Sequence, residues 1–154
     1  MTASATTAAR RVVRPLDDFE PGSTFATGGR TITEADVVGF CALTGDWHPQ
    51  HSDAEWSAES IFGARIVPGM QVLSYAIGLM ALDPQRVVAL RALRRVTFKR
   101  PAMLGDTIRA EGEITRSTPG GEGLRIVTVA VQIRAADRLS ARVEFDVVIR
   151  DPEA

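Results

Sequence analysis

The stretch Gly45-Asp46-Trp47-His48-Pro49-Gln50-His51 sets a carboxylate beside two imidazoles, and both histidines of the 154-residue chain lie in it. Imidazole exchanges protons near neutral pH, and a neighbouring carboxylate can grip the same water, so general acid–base chemistry is what this spacing predicts. Plainer duties fit the same residues. Asp46 after a glycine suits a turn, and His51 suits a satisfied structural histidine at a helix start. A metal site is the sharpest rival, because Asp46, His48, His51 and Asp53 are all donor types and His51-Ser52-Asp53 has the His-x-Asp order of non-haem iron sites. Those sites take a further histidine from downstream, and none follows His51. No metal is expected.

Elements on both sides must hold this loop. Thr33-Glu34-Ala35-Asp36 has the form of a helix N-cap with an acid at the third helical position, and the apolar pattern runs on through Leu43 until Gly45 ends it. Ser52 or Asp53 can cap a second, shorter helix through Trp56 to about Ser60. Pro68-Gly69 opens a third, with Met70, Leu73, Ile77 and Met80 at helical spacing and small residues Ala76, Gly78 and Ala81 between them; such a helix is expected to be covered. After Asp83-Pro84 the pattern turns to β-type runs over Val87–Phe98, Thr107–Thr115, Leu124–Arg134 and Ser140–Ile149, parted by Pro119-Gly120-Gly121 and Ala136-Asp137 among others. Long strands after one apolar helix predict an α+β domain in which an antiparallel sheet wraps that helix. There is no internal repeat.

Composition fits one globular domain, with 45% hydrophobic and 24% charged residues. A net charge of -1 offers no bulk attraction to nucleic acid or to an anionic membrane, and the best apolar run, Val67–Leu82, is interrupted by Pro68, Gly69, Gln71 and Ser74. Neither partner is expected. Cys41 stands alone, so no intrachain disulfide forms, which suits a reducing cytoplasm, the expected location. Its apolar helical setting marks it as core. Met1–Arg14, rich in Ala, Thr and Arg, is expected to be a disordered tail, leaving residues 15–154 as the domain.

The segment Phe40–His51, with Ser57-Ala58 and Ile66-Val67-Pro68-Gly69-Met70, resembles the signature of MaoC-like (R)-specific enoyl-CoA hydratases, and Val96–Pro101 with Leu104-Gly105-Asp106-Thr107 is similar to that family's strand and turn after the central helix. The likeness runs from about Leu16 to Ile149. It implies a single hot-dog domain, a long central helix wrapped by antiparallel sheet, and assembly as a homodimer or higher oligomer. It further implies that Asp46 and His51 share one water, deliver its oxygen to C3 of a trans-2-enoyl thioester and return a proton to C2, with the Gly69 N–H as oxyanion donor. Run backwards, the same groups dehydrate a 3-hydroxyacyl thioester. Trp47, His48, Ser57 and Met70 are the substrate contacts it implies, and it requires no cofactor.

Two positions depart from the family pattern Gly-Asp-x-Asn-Pro-x-His. His48 stands where the asparagine normally orients the water and the pair, and Pro68 replaces a frequent histidine, a change that removes only the proline's own N–H and spares that of Gly69. Trp47 and Trp56 are read as packing residues that can also border an acyl pocket. Among Arg86, Arg91, Arg94, Arg95, Lys99 and Arg100, most are expected on solvated faces, with a few meeting the phosphates of CoA or of a phosphopantetheine carrier. The expected substrate is an acyl-CoA or acyl-carrier thioester. The alternatives are a dehydratase acting on carrier-bound chains in fatty-acid or polyketide biosynthesis, and a non-catalytic acyl-binding subunit of a heteromer.

Overall fold

A computed structural model describes residues 13–151. The first structured segment reaches back further than the sequence predicts. Arg14 exchanges two backbone hydrogen bonds with Ala26, so residue 14 belongs to the fold, while the rest of the expected tail, up to residue 12, lies outside the described residues. Two short strands follow, β1 (Thr24–Ala26) and β2 (Arg30–Thr31). The helices are α1 (Glu34–Thr44), α2 (Pro49–Ser52), α3 (Ala54–Ala58) and α4 (Gly69–Leu79). Four long strands complete the chain: β3 (Val87–Phe98), β4 (Thr107–Gly121), β5 (Leu124–Ala135) and β6 (Arg138–Arg150).

The sheet is antiparallel with strand order β1-β4-β5-β6-β3, and β2 also pairs with β4. Alternation decides which face carries the core. Val127, Val129, Val131 and Ile133 of β5 are buried beside Val143, Phe145, Val147 and Ile149 of β6, all pointing to one side of the pleat. Ala136 and Asp137, both with positive φ (45° and 66°), make the two-residue turn that joins these strands with the twist a hairpin needs. Against this face lies α4, packed over β4 and β5 through Val72, Leu73 and Ala76.

The central helix is covered on one side only. Met70, Ser74 and Gly78, spaced four apart, stay exposed; of the expected stripe Leu73 and Met80 are buried, Ile77 is half-buried and Met70 is exposed, and Val72 and Ala76 complete the buried side. Edge strand β3 is likewise open, with Val88, Leu90, Leu93, Val96 and Phe98 exposed. Among the described residues no helix is long and apolar enough to cross a membrane.

Candidate active site

Helix α1 ends where the sequence predicts. Gly45 adopts the left-handed conformation (φ 77°) and its N–H reaches Cys41 O at 2.8 Å, which turns the chain sharply and delivers Asp46 at the helix end. The next residues do not remain a loop. Pro49 occupies the first position of the four-residue helix α2, and His48 caps it: the Gln50 N–H donates to His48 Nδ1 at 3.1 Å. His51 sits in that helix. Its Nδ1 lies 2.7 Å from Ile66 O, and because a carbonyl only accepts, Nδ1 of the neutral ring carries the hydrogen and Nε2 is left bare.

That bare Nε2 is 3.8 Å from Asp46 Oδ2. The separation is too long for a direct hydrogen bond and suits two acceptors sharing one water, each receiving one of its O–H groups. Asp46 is half exposed and His51 largely buried, so the water would be held between a wet wall and a dry one.

The acceptor for His51 belongs to the segment that opens α4. Ile66 N–H donates to Gln50 O at 3.0 Å and Val67 N–H to Ala102 O at 2.8 Å, pinning this segment between α2 and the chain that follows β3. Three residues after Ile66, Gly69 begins α4 with Pro68 as a cap that supplies no side-chain hydrogen bond and with no acid in the first turn. The partial positive charge of that helix end is left free to meet an anionic oxygen. Gly69 also has no room for a side chain: a Cβ there would stand 2.9 Å from the Phe98 ring.

A cavity of about 550 Å³ opens here, with Asp46, Gly69 and Met70 in its wall beside the rings of Phe40, Phe62 and Phe98. Phe62 and Phe98 were not singled out from the sequence, although Phe98 lies in the quoted Val96–Pro101 segment. Lys99 and Arg100 stand in the same wall, their N–H groups both donating to Ser140 O (2.7 and 3.2 Å). Neither cation makes an ion pair among the described residues. The other arginines are engaged: Arg91 and Arg94 reach Asp146, Arg95 reaches Glu144, and Arg86 donates to Asp17 O.

Several expected roles change. Ser57 is fully buried, its Oγ donating to Pro49 O at 3.1 Å, so it supports α2 from behind and lies outside the cavity wall. Trp47 and Trp56 do not pack into the core; they are 50% and 47% exposed, and Trp56 meets His48 edge-on with centroids 5.7 Å apart. Trp47, His48 and His51 are absent from the cavity wall, although Ile66, whose carbonyl His51 meets, lies in it. Gln50, overlooked in the sequence, is buried and its amide donates to Ala64 O at 3.2 Å, tying α2 to the chain after α3. The rival metal ligands are not gathered, since Asp53 caps α3 through the Trp56 N–H and no metal-sized cluster of donors occurs among the described residues. Burial, followed by the nearby Asp46 charge, pushes the Cys41 thiol up, which keeps it protonated and inert.

Comparison with known proteins identifies the family. Residues 18–136 match the family model described as MaoC like domain. Protein MaoC of Klebsiella aerogenes is 39% identical over 67% of this chain, which spans 31% of that protein's length. The 3-hydroxybutyryl-CoA dehydratase of Methylorubrum extorquens is 30% identical over 68% of the chain and 66% of its own length. Among solved structures, a monoamine oxidase regulatory protein from Archaeoglobus superposes with a TM-score of 0.82 at 30% identity, covering 92% of this chain and 97% of that one. An acid and an imidazole 3.8 Å apart, a glycine at the mouth of the central helix and an antiparallel sheet packed on it occur here in a chain of matching sequence: this protein belongs to the MaoC-like hydratase and dehydratase family and has its hot-dog fold.

Proposed function

We propose that the protein interconverts trans-2-enoyl and (R)-3-hydroxyacyl thioesters. The observation that carries this reading is the 3.8 Å gap between Asp46 Oδ2 and a His51 Nε2 whose tautomer is fixed, near a free helix N-terminus. In the hydration direction the thioester oxygen approaches the Gly69 N–H, which drains electron density from C3. A water gripped by Asp46 and His51 gives its oxygen to C3 as one O–H bond breaks, and the pair takes up the proton. The negative charge then rests on the thioester oxygen until C2 receives a proton from the same pair. Water is thus divided across the double bond, and no redox step or metal is called for.

Lys99 and Arg100 suit the phosphates at the far end of the acyl carrier, a chemistry common to CoA and phosphopantetheine. The names of relatives point both ways, to a CoA dehydratase and to a regulatory protein. Crotonyl-CoA and longer trans-2-enoyl-CoAs are the deciding substrates, followed by loss of enoyl-thioester absorbance and by product stereochemistry. Asp46→Asn and His51→Ala are each expected to lower kcat on the order of 10²- to 10⁴-fold while remaining folded. A folded wild type inactive on every CoA thioester would transfer the proposal to carrier-bound chains or to a non-catalytic subunit.

A further inference from the structure

We propose that His48 is a titratable positioning residue: its neutral ring caps α2 through Nδ1, and protonation loosens the turn that aims His51, so acid disables the site by a route separate from protonation of His51. The catalytic half of this statement rests on the hydratase reading; the cap does not.

The argument begins with the direction of one hydrogen bond. The Gln50 N–H can only donate, so His48 Nδ1, 3.1 Å away, accepts and is bare, which places the ring hydrogen on Nε2. The two histidines therefore hold opposite tautomers with their rings 6.2 Å apart: His51 is protonated on Nδ1 and His48 on Nε2. A protonated His48 would carry hydrogen on both nitrogens. Its Nδ1–H would then face the Gln50 N–H, donor against donor, and its charge would lie at the positive end of α2. An asparagine at this position could cap through an amide oxygen that no ordinary pH changes. Replacing it with histidine keeps the cap and makes it conditional.

The effect reaches His51 because α2 is so short. His51 N–H donates to His48 O at 2.8 Å, so the capping residue and the catalytic residue share one turn. His48 is exposed, and a solvent proton has free access to it. The titratable groups around it are Asp46, whose Oδ1 is 3.4 Å from the His48 N–H, the His51 ring, and the acids Asp53 and Glu55 at the start of α3. Helix α3 itself presents the neutral Trp56 to the ring.

The full chain contains only two histidines, which makes the test direct. Two-bond proton–nitrogen correlation of the imidazoles is recorded on wild type and on His48→Asn, the variant assigning each ring by subtraction. In mildly alkaline solution His48 is expected with a bare Nδ1 and His51 with a bare Nε2. On acidification the Gln50 amide resonance should move with the midpoint of the His48 ring, and should stay still over that range in His48→Asn. With crotonyl-CoA, kcat/KM of wild type relative to His48→Asn should fall roughly fivefold as His48 titrates, the population change that loss of a cap of ordinary strength produces. Hydrogen on His48 Nδ1, or a Gln50 amide that ignores His48 titration, would overturn the proposal. The expected nitrogen shifts with no turnover of any thioester would keep the cap and remove the hydratase reading instead.

Discussion

Gly69→Ala separates what position 69 does for the helix from what it does for the substrate. Alanine at a helix start favours α4, whereas its methyl would press on the Phe98 ring at 2.9 Å, a ring exposed enough to swing aside. Stability is expected within about 1 kcal/mol of wild type by urea unfolding. kcat/KM on crotonyl-CoA should nevertheless fall roughly 10- to 100-fold, because the methyl displaces the Phe98 ring, a wall of the cavity beside the Gly69 N–H. Full activity in Gly69→Ala would show that the site needs neither the bare glycine nor the Phe98 ring in place. At this scale the sequence singled out Asp46, His51 and Gly69, and the structure sets Asp46 3.8 Å from His51 and opens α4 with Gly69. The packing role read for Trp56 did not hold, since neighbours on a five-residue helix point about 100° apart and nothing in the order of letters tells which one faces inward. Trp56 faces out and Ser57 in.

Helix α1 shows how an element holds the site. Asp36 accepts from the Thr33 N–H (2.8 Å) and the Thr33 hydroxyl (2.7 Å), and also from Tyr75 Oη on α4 (3.0 Å), while its own carbonyl receives the Gln71 amide at 2.8 Å. These bonds clamp the helix that presents Asp46 to the helix that begins with Gly69. The Thr33 N–H and hydroxyl, then Tyr75 and the Arg30 guanidinium, hold the Asp36 carboxyl down to about 2. A depressed carboxyl stabilises the fold above its unfolded value of 3.8 and loses that contribution as pH falls from there toward 2. Asp36→Asn should therefore cost about 1 to 2 kcal/mol near neutral pH, and the gap from wild type should close as unfolding is repeated down to pH about 2. A gap that stays constant with pH would assign the loss to packing instead. Elements with strong end signals were legible: Thr33 and Gly45 fixed α1. Helix α2 was not, being four residues long, nor were β1 and β2, too short to show alternation. Strand β4 runs past the expected Thr115 to Gly121 because Pro119 lies beyond the residues paired with β1 and β2, where only β5 is a neighbour and a missing N–H costs nothing.

For the whole molecule, β3 is the feature left incomplete. It is twelve residues long, pairs among the described residues with β6 alone, and carries Val88, Leu90, Leu93 and Val96 exposed. A long apolar edge strand invites addition of another strand unless something covers it. Arg91 and Arg94 turn inward to the buried Asp146 and do not guard that edge with free charge; burial pushes the Asp146 carboxyl up, but the Thr128 hydroxyl and Arg94 outweigh it and hold it below the usual carboxylate range. Register shifts between Val87 and Ala89, Leu90 and Ala92, and Arg94 and Thr97 bend the strand. A second copy related by a two-fold axis meets the same bends in reverse, so antiparallel β3–β3 pairing matches itself without further design. The open Met70, Ser74 and Gly78 face of α4 is a further uncovered surface of the single chain. Phe98 and Lys99 continue directly from β3 into the cavity wall, and assembly along this edge would steady the acyl pocket as well as the fold. Sedimentation velocity is expected to show wild type as a dimer at micromolar concentration and Leu90→Asp/Leu93→Asp as a folded monomer with lower turnover of crotonyl-CoA. A wild type that sediments as a monomer, or a double variant that stays dimeric, would place any oligomer interface on another face.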